Sequence, residues 1–198
     1  MWFVVSGLVV FSTGCTTPPK KFEIKEFAPG IFLGCKPHSQ EQFDLLHQRG
    51  VRTVLSLETL PWDIRPERKL ARDNGIMYRN VPILASPLAP REKRVRQALL
   101  VLSDPSLRPI FLHCYLSEDR TSLVLGLYRI YFEDWTPAAA WHEMLDYHFH
   151  VRLTLRGFET YFWSHTEKPN WVFQARTARQ QDNKTTRPQD HKTTDTVH

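Results

Sequence analysis

The sequence contains few cysteines, three in 198 residues, and it lacks the cysteine and histidine spacing of a zinc finger. Three cysteines exclude a framework of several disulfides, so Cys15, Cys35 and Cys114 are interpreted separately. No apolar run approaches the roughly 20 residues that a membrane-spanning helix needs. No RNA-binding sheet motif or basic DNA-reading helix is present, so a nucleic-acid partner is not expected.

The composition is that of a globular domain with a basic surface. Hydrophobic residues make up 41% of the chain and aromatic residues 12%, which suits an α/β domain with a substantial core. The formal net charge is +5. Such a charge suits an anionic substrate or an acidic membrane surface, and by itself does not choose between them.

The N-terminus reads as an export signal. Residues 2–11 are almost wholly apolar, which is the length of a signal-peptide core, and small residues then lead into Cys15. This pattern resembles the lipobox of bacterial lipoproteins, which implies that residues 1–15 form a signal peptide and that a lipid on Cys15 anchors the chain to a membrane. Residues 16–21 read as a linker. We therefore expect a periplasmic or outer-membrane lipoprotein, or otherwise a cytoplasmic protein.

Strand-like and helix-like segments alternate between residues 22 and 170. Ser39 with Gln42 three residues later forms a capping-box pattern that begins a helix, and Gly50 ends it before a Val-rich strand. Alternation of this kind predicts an α/β fold, with a central, mainly parallel sheet covered by helices on both faces. Residues 171–198 are mostly polar and are predicted to form a disordered tail.

The most informative stretch is residues 109–121. An apolar strand ends in His113-Cys114, a short loop follows, and Arg120-Thr121 open an apolar-periodic helix. Strand, loop and helix N-terminus together form an anion-binding geometry, since the loop amides and the helix dipole converge on one point. That field stabilises a thiolate at Cys114, and the planar guanidinium of Arg120 matches two phosphate oxygens. The alternative is a buried structural cysteine with an arginine six positions on by chance.

This stretch resembles the His-Cys-x5-Arg-Ser/Thr signature of the cysteine-dependent phosphatases, the protein-tyrosine and dual-specificity superfamily. Residues 22–165 resemble its bacterial atypical dual-specificity and cysteine-phytase-like branch, with the phosphatase loop between central strand and helix. The resemblance implies that Cys114 attacks phosphorus, that Arg120 holds the phosphoryl oxygens, and that His113 supports the loop. It implies no metal or other cofactor. The predicted substrate-binding residues are Tyr115, Leu116, Ser117, Glu118, Thr121 and Lys36, with Thr121 also bonding the sulfur.

The residue that would protonate the leaving group, the general acid, is not where the family pattern has it. The family usually carries an aspartate on a loop upstream of the cysteine, and the corresponding loop at 82–90 has no acidic residue. Asp119 immediately precedes the loop arginine, as in the myotubularin-type lipid phosphatases, which implies that Asp119 is the acid. The competing interpretation is that Asp119 only caps the helix. Glu118 and Glu92 are weaker candidates.

A second departure is Ser117, where the family has glycine. Glycine lets the loop turn with its amides inward, so serine implies strain and leaves open a catalytically weak, phosphate-binding pseudophosphatase. Basic residues on segments near the expected site favour a substrate with several phosphates, hence an inositol polyphosphate in a phytase-like reaction. A phosphoprotein substrate of a tyrosine or dual-specificity phosphatase is the alternative. His142, His148 and His150 are interpreted as packing residues, not metal ligands.

Overall fold

The computed structural model describes residues 22–149 and 156–185. A five-stranded sheet in the order β1-β2-β5-β3-β4 forms its centre. β1 pairs antiparallel with β2, and the other pairs of neighbouring strands are parallel. The strands are β1 (Lys25–Ala28), β2 (Ile31–Leu33), β3 (Thr53–Ser56), β4 (Met77–Asn80) and β5 (Ile110–His113).

Helices connect the parallel strands and follow the last of them. They are α1 (Gln40–Gln48), α2 (Pro61–Asp73), α3 (Glu92–Ser103), α4 (Asp119–Phe132), α5 (Pro137–Asp146), α6 (Arg156–Ser164) and α7 (Asn170–Thr185). A short 3-10 helix, Pro105–Leu107, precedes β5. The α/β fold that the alternation predicts is thus confirmed.

The two faces of the sheet have separate cores. Alternation along β5 sends Phe111 to the face covered by α1 and α2, and Leu112 to the face covered by α3 and α4. α4 is buried on almost every side, because α3, α5, α6 and α7 all pack around it. It is the central helix of the domain, and its N-terminus faces the loop that follows β5.

Local sequence signals explain where two of the helices begin. Ser39 Oγ accepts the Gln42 amide at 3.4 Å, while Gln42 Oε1 accepts the His38 amide at 2.7 Å, so the predicted capping box forms with its return bond displaced by one residue. Thr136 caps α5, where Pro137 occupies the first turn.

The prediction of a disordered tail from residue 171 is wrong for its first part. Residues Asn170–Thr185 form α7, with Val172 fully buried and Trp171 packed edge-on against Tyr131. Arg176 donates to both carboxylate oxygens of Asp134, at 2.9 and 2.8 Å. The apolar contacts of the first turn anchor a helix that is otherwise polar, which composition alone conceals.

Several predictions fall outside the described residues. These are the signal peptide and lipobox with Cys15, the linker at 16–21, His150, and the remainder of the tail at 186–198. Within the described part of the chain, no helix combines the length and the apolar character that crossing a bilayer requires.

Candidate active site

Three parallel strands end level with one another at one edge of the sheet. The register pairs Ser56 of β3 with both Asn80 of β4 and His113 of β5. The amide of Leu57 then donates to the His113 carbonyl at 3.0 Å, which ties the β3–α2 loop to the residue preceding Cys114. Ligands of open parallel sheets bind beyond such carboxyl ends. Cys114 lies there and is buried, with only 3% of its surface exposed.

The loop between β5 and α4 turns sharply at Ser117. This residue has φ of 57°, in the left-handed region where a side chain is strained. Its hydroxyl accepts the Cys114 amide at 3.4 Å and donates to the Gly34 carbonyl, so it ties the loop to the end of β2. The expectation that this position favours glycine is confirmed by the backbone, and the serine hydroxyl supplies two bonds in compensation.

Gly34 allows this close approach. A side chain there would meet the Glu23 carbonyl oxygen at 2.2 Å and the Phe111 ring at 3.0 Å. The absence of a Cβ therefore lets the segment after β2 lie directly against the sheet, where its carbonyl reaches Ser117.

The loop that follows Cys114 contains amides without a protein acceptor among the described residues. Within the described part of the chain, the amides of Tyr115, Leu116 and Arg120 donate to no protein acceptor. The Tyr115 carbonyl accepts the Lys36 amide at 3.1 Å, which holds the outer side of the loop. Unused amides at a loop that opens a helix are suited to an anion.

Arg120 is held by a buried carboxylate that the sequence analysis missed. Its Nη2 lies 3.1 Å from Glu58 Oε1, and both residues are buried. Its Nη1 donates to the carbonyls of Leu57 at 3.2 Å and Ile83 at 3.5 Å. These bonds fix the guanidinium against the loops that follow β3 and β4, so its orientation is set before any substrate arrives.

His113 supports the loop from behind, as its position before the cysteine implies. Its Nδ1 lies 2.9 Å from the Cys114 carbonyl oxygen and carries the proton of that bond, because a carbonyl can only accept. Its Nε2 lies 2.6 Å from Glu67 Oε1, close enough to contact the carboxylate but outside hydrogen-bond alignment.

Glu67 connects His113 to the neighbouring strands. Its Oε2 accepts the Tyr78 hydroxyl at 3.2 Å and the Ser56 hydroxyl at 3.4 Å. Burial, together with the nearby Glu67 carboxylate, raises the pKa of Tyr78, so its hydroxyl keeps its proton and remains a donor. The result is a buried polar network that joins β3, β4, β5 and α2 beneath the loop.

The remaining predicted residues differ in placement. Thr121 is fully buried and its hydroxyl has no hydrogen-bond partner among the described residues, so the predicted bond to the Cys114 sulfur is not formed. Asp119 is the first residue of α4, and Glu118 is the N-cap residue without a side-chain capping bond. Lys36, predicted to bind substrate, instead pairs through Nζ with Asp63 at the start of α2.

The loop between β4 and α3 carries no carboxylate, and it is braced from outside. The amide of Gly157 donates to the Pro87 carbonyl at 3.0 Å, and a Cβ on Gly157 would lie 2.2 Å from the Leu88 carbonyl carbon. α6 therefore packs directly onto the loop where the family usually places its acid.

Two functional residues were missed, and each leaves a weak signal in the sequence. Glu58 follows a buried strand at the edge where the site was expected, and Glu67 occupies the buried face of α2 with Ala71. A carboxylate on an apolar face needs a partner, which points to a buried cation or donor. Among the described residues, no group of three or more His, Cys, Asp or Glu side chains could hold a metal ion.

This fold is similar to that of known proteins, although the sequence is not. No family model matches the chain, and no curated protein matches it in sequence. The structure is similar to the catalytic core of the PP-IP phosphatase Siw14 from Saccharomyces cerevisiae, solved with citrate, with 20% identity and a TM-score of 0.66 over 79% of this chain and 92% of that one.

Two other solved structures support the same placement. TpbA of Pseudomonas aeruginosa is 21% identical with a TM-score of 0.59, over 78% of this chain and 89% of that one. Kinase-associated phosphatase, with a serine replacing its catalytic-site cysteine, is 18% identical with a TM-score of 0.54, over 68% of this chain and 83% of that one. The chain has the fold of the protein-tyrosine and dual-specificity phosphatase superfamily.

Proposed function

We propose that this protein is a cysteine-based phosphatase that hydrolyses phosphomonoesters through a cysteinyl-phosphate intermediate. The observation that carries the proposal is the pairing, across one loop, of buried Cys114 with an Arg120 guanidinium that Glu58 holds in place. A nucleophile and a phosphate-binding fork at the two ends of a loop with unused amides are the parts that phosphoryl transfer requires.

The reaction proceeds in two balanced steps. The Cys114 thiolate attacks phosphorus in line, a sulfur–phosphorus bond forms, and the bond from phosphorus to the substrate oxygen breaks. Asp119 gives its proton to the departing oxygen and then takes a proton from the water that attacks the cysteinyl-phosphate. Phosphate leaves and the thiolate is restored. We also propose that the buried Thr121 hydroxyl donates a hydrogen bond to the sulfur as it departs, a bond that is not formed in this structure.

For the substrate, we propose inositol polyphosphates. Several basic residues near the site are engaged elsewhere: Lys36 pairs with Asp63. Arg68 lies over the ring of Tyr78, and Arg96 lies over the ring of Trp171. Arg91 and Arg94 line a cleft at the β4–α3 loop, where Arg94 also donates to the side chain of Gln97 at 3.1 Å. Siw14 is named as a PP-IP phosphatase, which supports this class of substrate.

A phosphotyrosine or dual-specificity activity is the second candidate. Tyr115 is exposed on the loop itself, where its ring could stack on an aromatic phosphoester. TpbA, in a cysteine-to-serine variant, has been solved with phosphotyrosine. A weak, phosphate-binding pseudophosphatase is supported by the strained backbone at Ser117.

One substrate comparison tests these alternatives. Phosphate release from inositol hexakisphosphate is measured beside release from a phosphotyrosine peptide, with Cys114→Ser as the inactive reference. A higher kcat/KM on the inositol phosphate supports our proposal. A higher kcat/KM on the peptide would instead favour the phosphotyrosine or dual-specificity activity. No release from either substrate contradicts the enzyme assignment and leaves phosphate binding.

Asp119 is tested by leaving-group dependence. With Asp119→Asn, the rate should fall most for alkyl phosphates, which need a proton on the departing oxygen, and least for p-nitrophenyl phosphate. Glu118→Gln is the matched control at the neighbouring position. Equal losses for good and poor leaving groups would remove Asp119 as the acid.

We also propose that the chain is exported and anchored by a lipid on Cys15, followed by a linker at residues 16–21. The supporting observation is the apolar run at 2–11 with small residues before the cysteine. Labelling with a radioactive fatty acid should mark the wild-type chain in a bacterial host and fail to mark Cys15→Ala. Label that persists in this variant would contradict the anchor.

A further inference from the structure

Large apolar side chains are exposed on the loops at the edge of the sheet where Cys114 lies. They lie on the β3–α2 loop and the start of α2, on the β4–α3 loop, and on the loop after β5. We call them the mouth residues: Leu60 (40% exposed), Trp62 (69%), Leu84 (63%), Leu88 (75%) and Tyr115 (60%). Single exposed apolar residues are common, but a set on neighbouring loops marks an interaction surface.

Hydrogen bonds and an ion pair hold these loops beside one another. Arg120 Nη1 donates to the carbonyls of Leu57 and Ile83, which are three residues before Leu60 and one residue before Leu84. Trp62 and Tyr115 are joined through Lys36. The Lys36 side chain pairs with Asp63, next to Trp62, and its amide donates to the Tyr115 carbonyl.

Basic residues flank the mouth residues. Leu84 and Leu88 line a cleft of about 340 Å³ together with Arg91 and Arg94, and Thr59 from the β3–α2 loop also lines it. Of the four basic residues in segment 91–96, Arg91 and Arg94 line this cleft, whereas Arg96 lies over the ring of Trp171 on another surface. The surface that surrounds the catalytic opening therefore combines protruding tryptophan and leucine side chains with positive charge.

We propose that the mouth residues insert into the interface of a bilayer that carries anionic lipids, and that Cys114 then faces phosphorylated headgroups at that surface. Leucine and tryptophan at loop tips enter the headgroup–acyl boundary, while flanking arginines bind anionic headgroups. Each basic side chain near an anionic surface strengthens binding about fivefold. A protein partner is less favoured, because these side chains project from separate loops rather than lining one apolar groove.

Vesicle binding tests the proposal. The full chain carrying Cys15→Ala, so that no covalent lipid contributes, is floated with phosphatidylcholine vesicles with and without phosphatidylglycerol. The mouth variant is Trp62→Ser, Leu84→Ser and Leu88→Ser. The matched control replaces three exposed apolar residues on other surfaces, Leu45, Leu100 and Phe173, with serine.

We expect the reference chain and the control to bind phosphatidylglycerol vesicles, and the mouth variant to bind at least tenfold more weakly. A blue shift of tryptophan fluorescence on binding should disappear in Trp62→Phe, which keeps an apolar ring and reports the insertion directly. Equal binding by mouth variant and control overturns the proposal. Equal binding to pure phosphatidylcholine vesicles would contradict the requirement for anionic lipids. If the chain instead forms a dimer in solution that the mouth variant abolishes, these residues bind a second copy of the chain.

The claim that Cys114 acts on lipid headgroups rests on the proposed function. Failure of the membrane-docking proposal can be distinguished from failure of the phosphatase proposal. Both variants should hydrolyse p-nitrophenyl phosphate in solution at the reference rate, since no substituted residue belongs to the catalytic loop. A phosphoinositide in vesicles should be hydrolysed more slowly by the mouth variant alone. If the chain hydrolyses no phosphoester and the mouth variant still loses vesicle binding, the docking surface stands and the enzyme assignment fails.

Discussion

Replacing Glu58 with alanine should leave the Arg120 guanidinium buried without its carboxylate. The side chains of Arg120 and Glu58 are 10% and 4% exposed, so water cannot replace the lost partner. Breaking a buried ion pair costs about 3–5 kcal/mol. Arg120 still donates hydrogen bonds to the carbonyls of Leu57 and Ile83 in this variant. We therefore expect a loss of stability at the lower end of that range, about 3 kcal/mol. Glu58→Gln keeps an acceptor but loses the charge and should cost about 1–2 kcal/mol.

Urea denaturation of the wild type, Glu58→Ala and Glu58→Gln measures these free energies of unfolding. Glu26→Ala removes an exposed carboxylate on β1 and should change stability by less than about 0.5 kcal/mol. The guanidinium also loses its orientation, so kcat/KM of Glu58→Ala should fall about tenfold or more. If alanine and glutamine at position 58 both match the wild type in stability, the ion pair does not fix Arg120 and this reasoning fails.

Further predictions concern the loop, its brace and the last helix. Ser117→Ala and Ser117→Gly both lose the two hydroxyl bonds, but only alanine keeps a Cβ in the left-handed region. Ser117→Ala should therefore be about 1 kcal/mol less stable in urea than Ser117→Gly, and equal stability would contradict strain at this position. Gly157→Ala should cost about 1–3 kcal/mol because its Cβ meets Leu88, and an unchanged melting temperature would contradict that contact. Hydrogen bonds from Arg176 and Lys168 lower the pKa of Asp134, so the stability it contributes is present at neutral pH and down to about pH 4, and is lost as pH falls further. Asp134→Asn should therefore lower the free energy of unfolding at pH 7 but not in strong acid. The loss should be less than about 1 kcal/mol because the carboxylate is exposed. A loss of stability that does not depend on pH would contradict a contribution from these ion pairs.

The sequence predicted the parts of the fold that depend on local pattern. The alternation of apolar strands and capped helices is a local property, so the mainly parallel sheet and the helix start at Ser39 were both predictable. The loop from Cys114 to Arg120 was predictable for the same reason, because its nucleophile and its guanidinium lie within one short stretch.

Contacts between distant segments were not predictable. Glu58 and Arg120 are 62 residues apart, and the weak signal at Glu58 indicates a buried partner without indicating which residue it is. Lys36 was expected at the substrate because it is basic and near the loop, but Asp63 at the start of α2 neutralises it. α7 was missed because its helix depends on the contacts of Trp171 and Val172 with the domain rather than on its own composition.

Trapping the intermediate tests the central claim most directly. The wild-type chain is mixed with p-nitrophenyl phosphate, quenched in acid before the first turnover is complete, and analysed by peptide mass spectrometry. The account predicts one phosphoryl group on Cys114, absent after complete hydrolysis and absent in Cys114→Ser, which should also lose turnover. Turnover by Cys114→Ser at the wild-type rate, or a phosphoryl group on another residue, would contradict it.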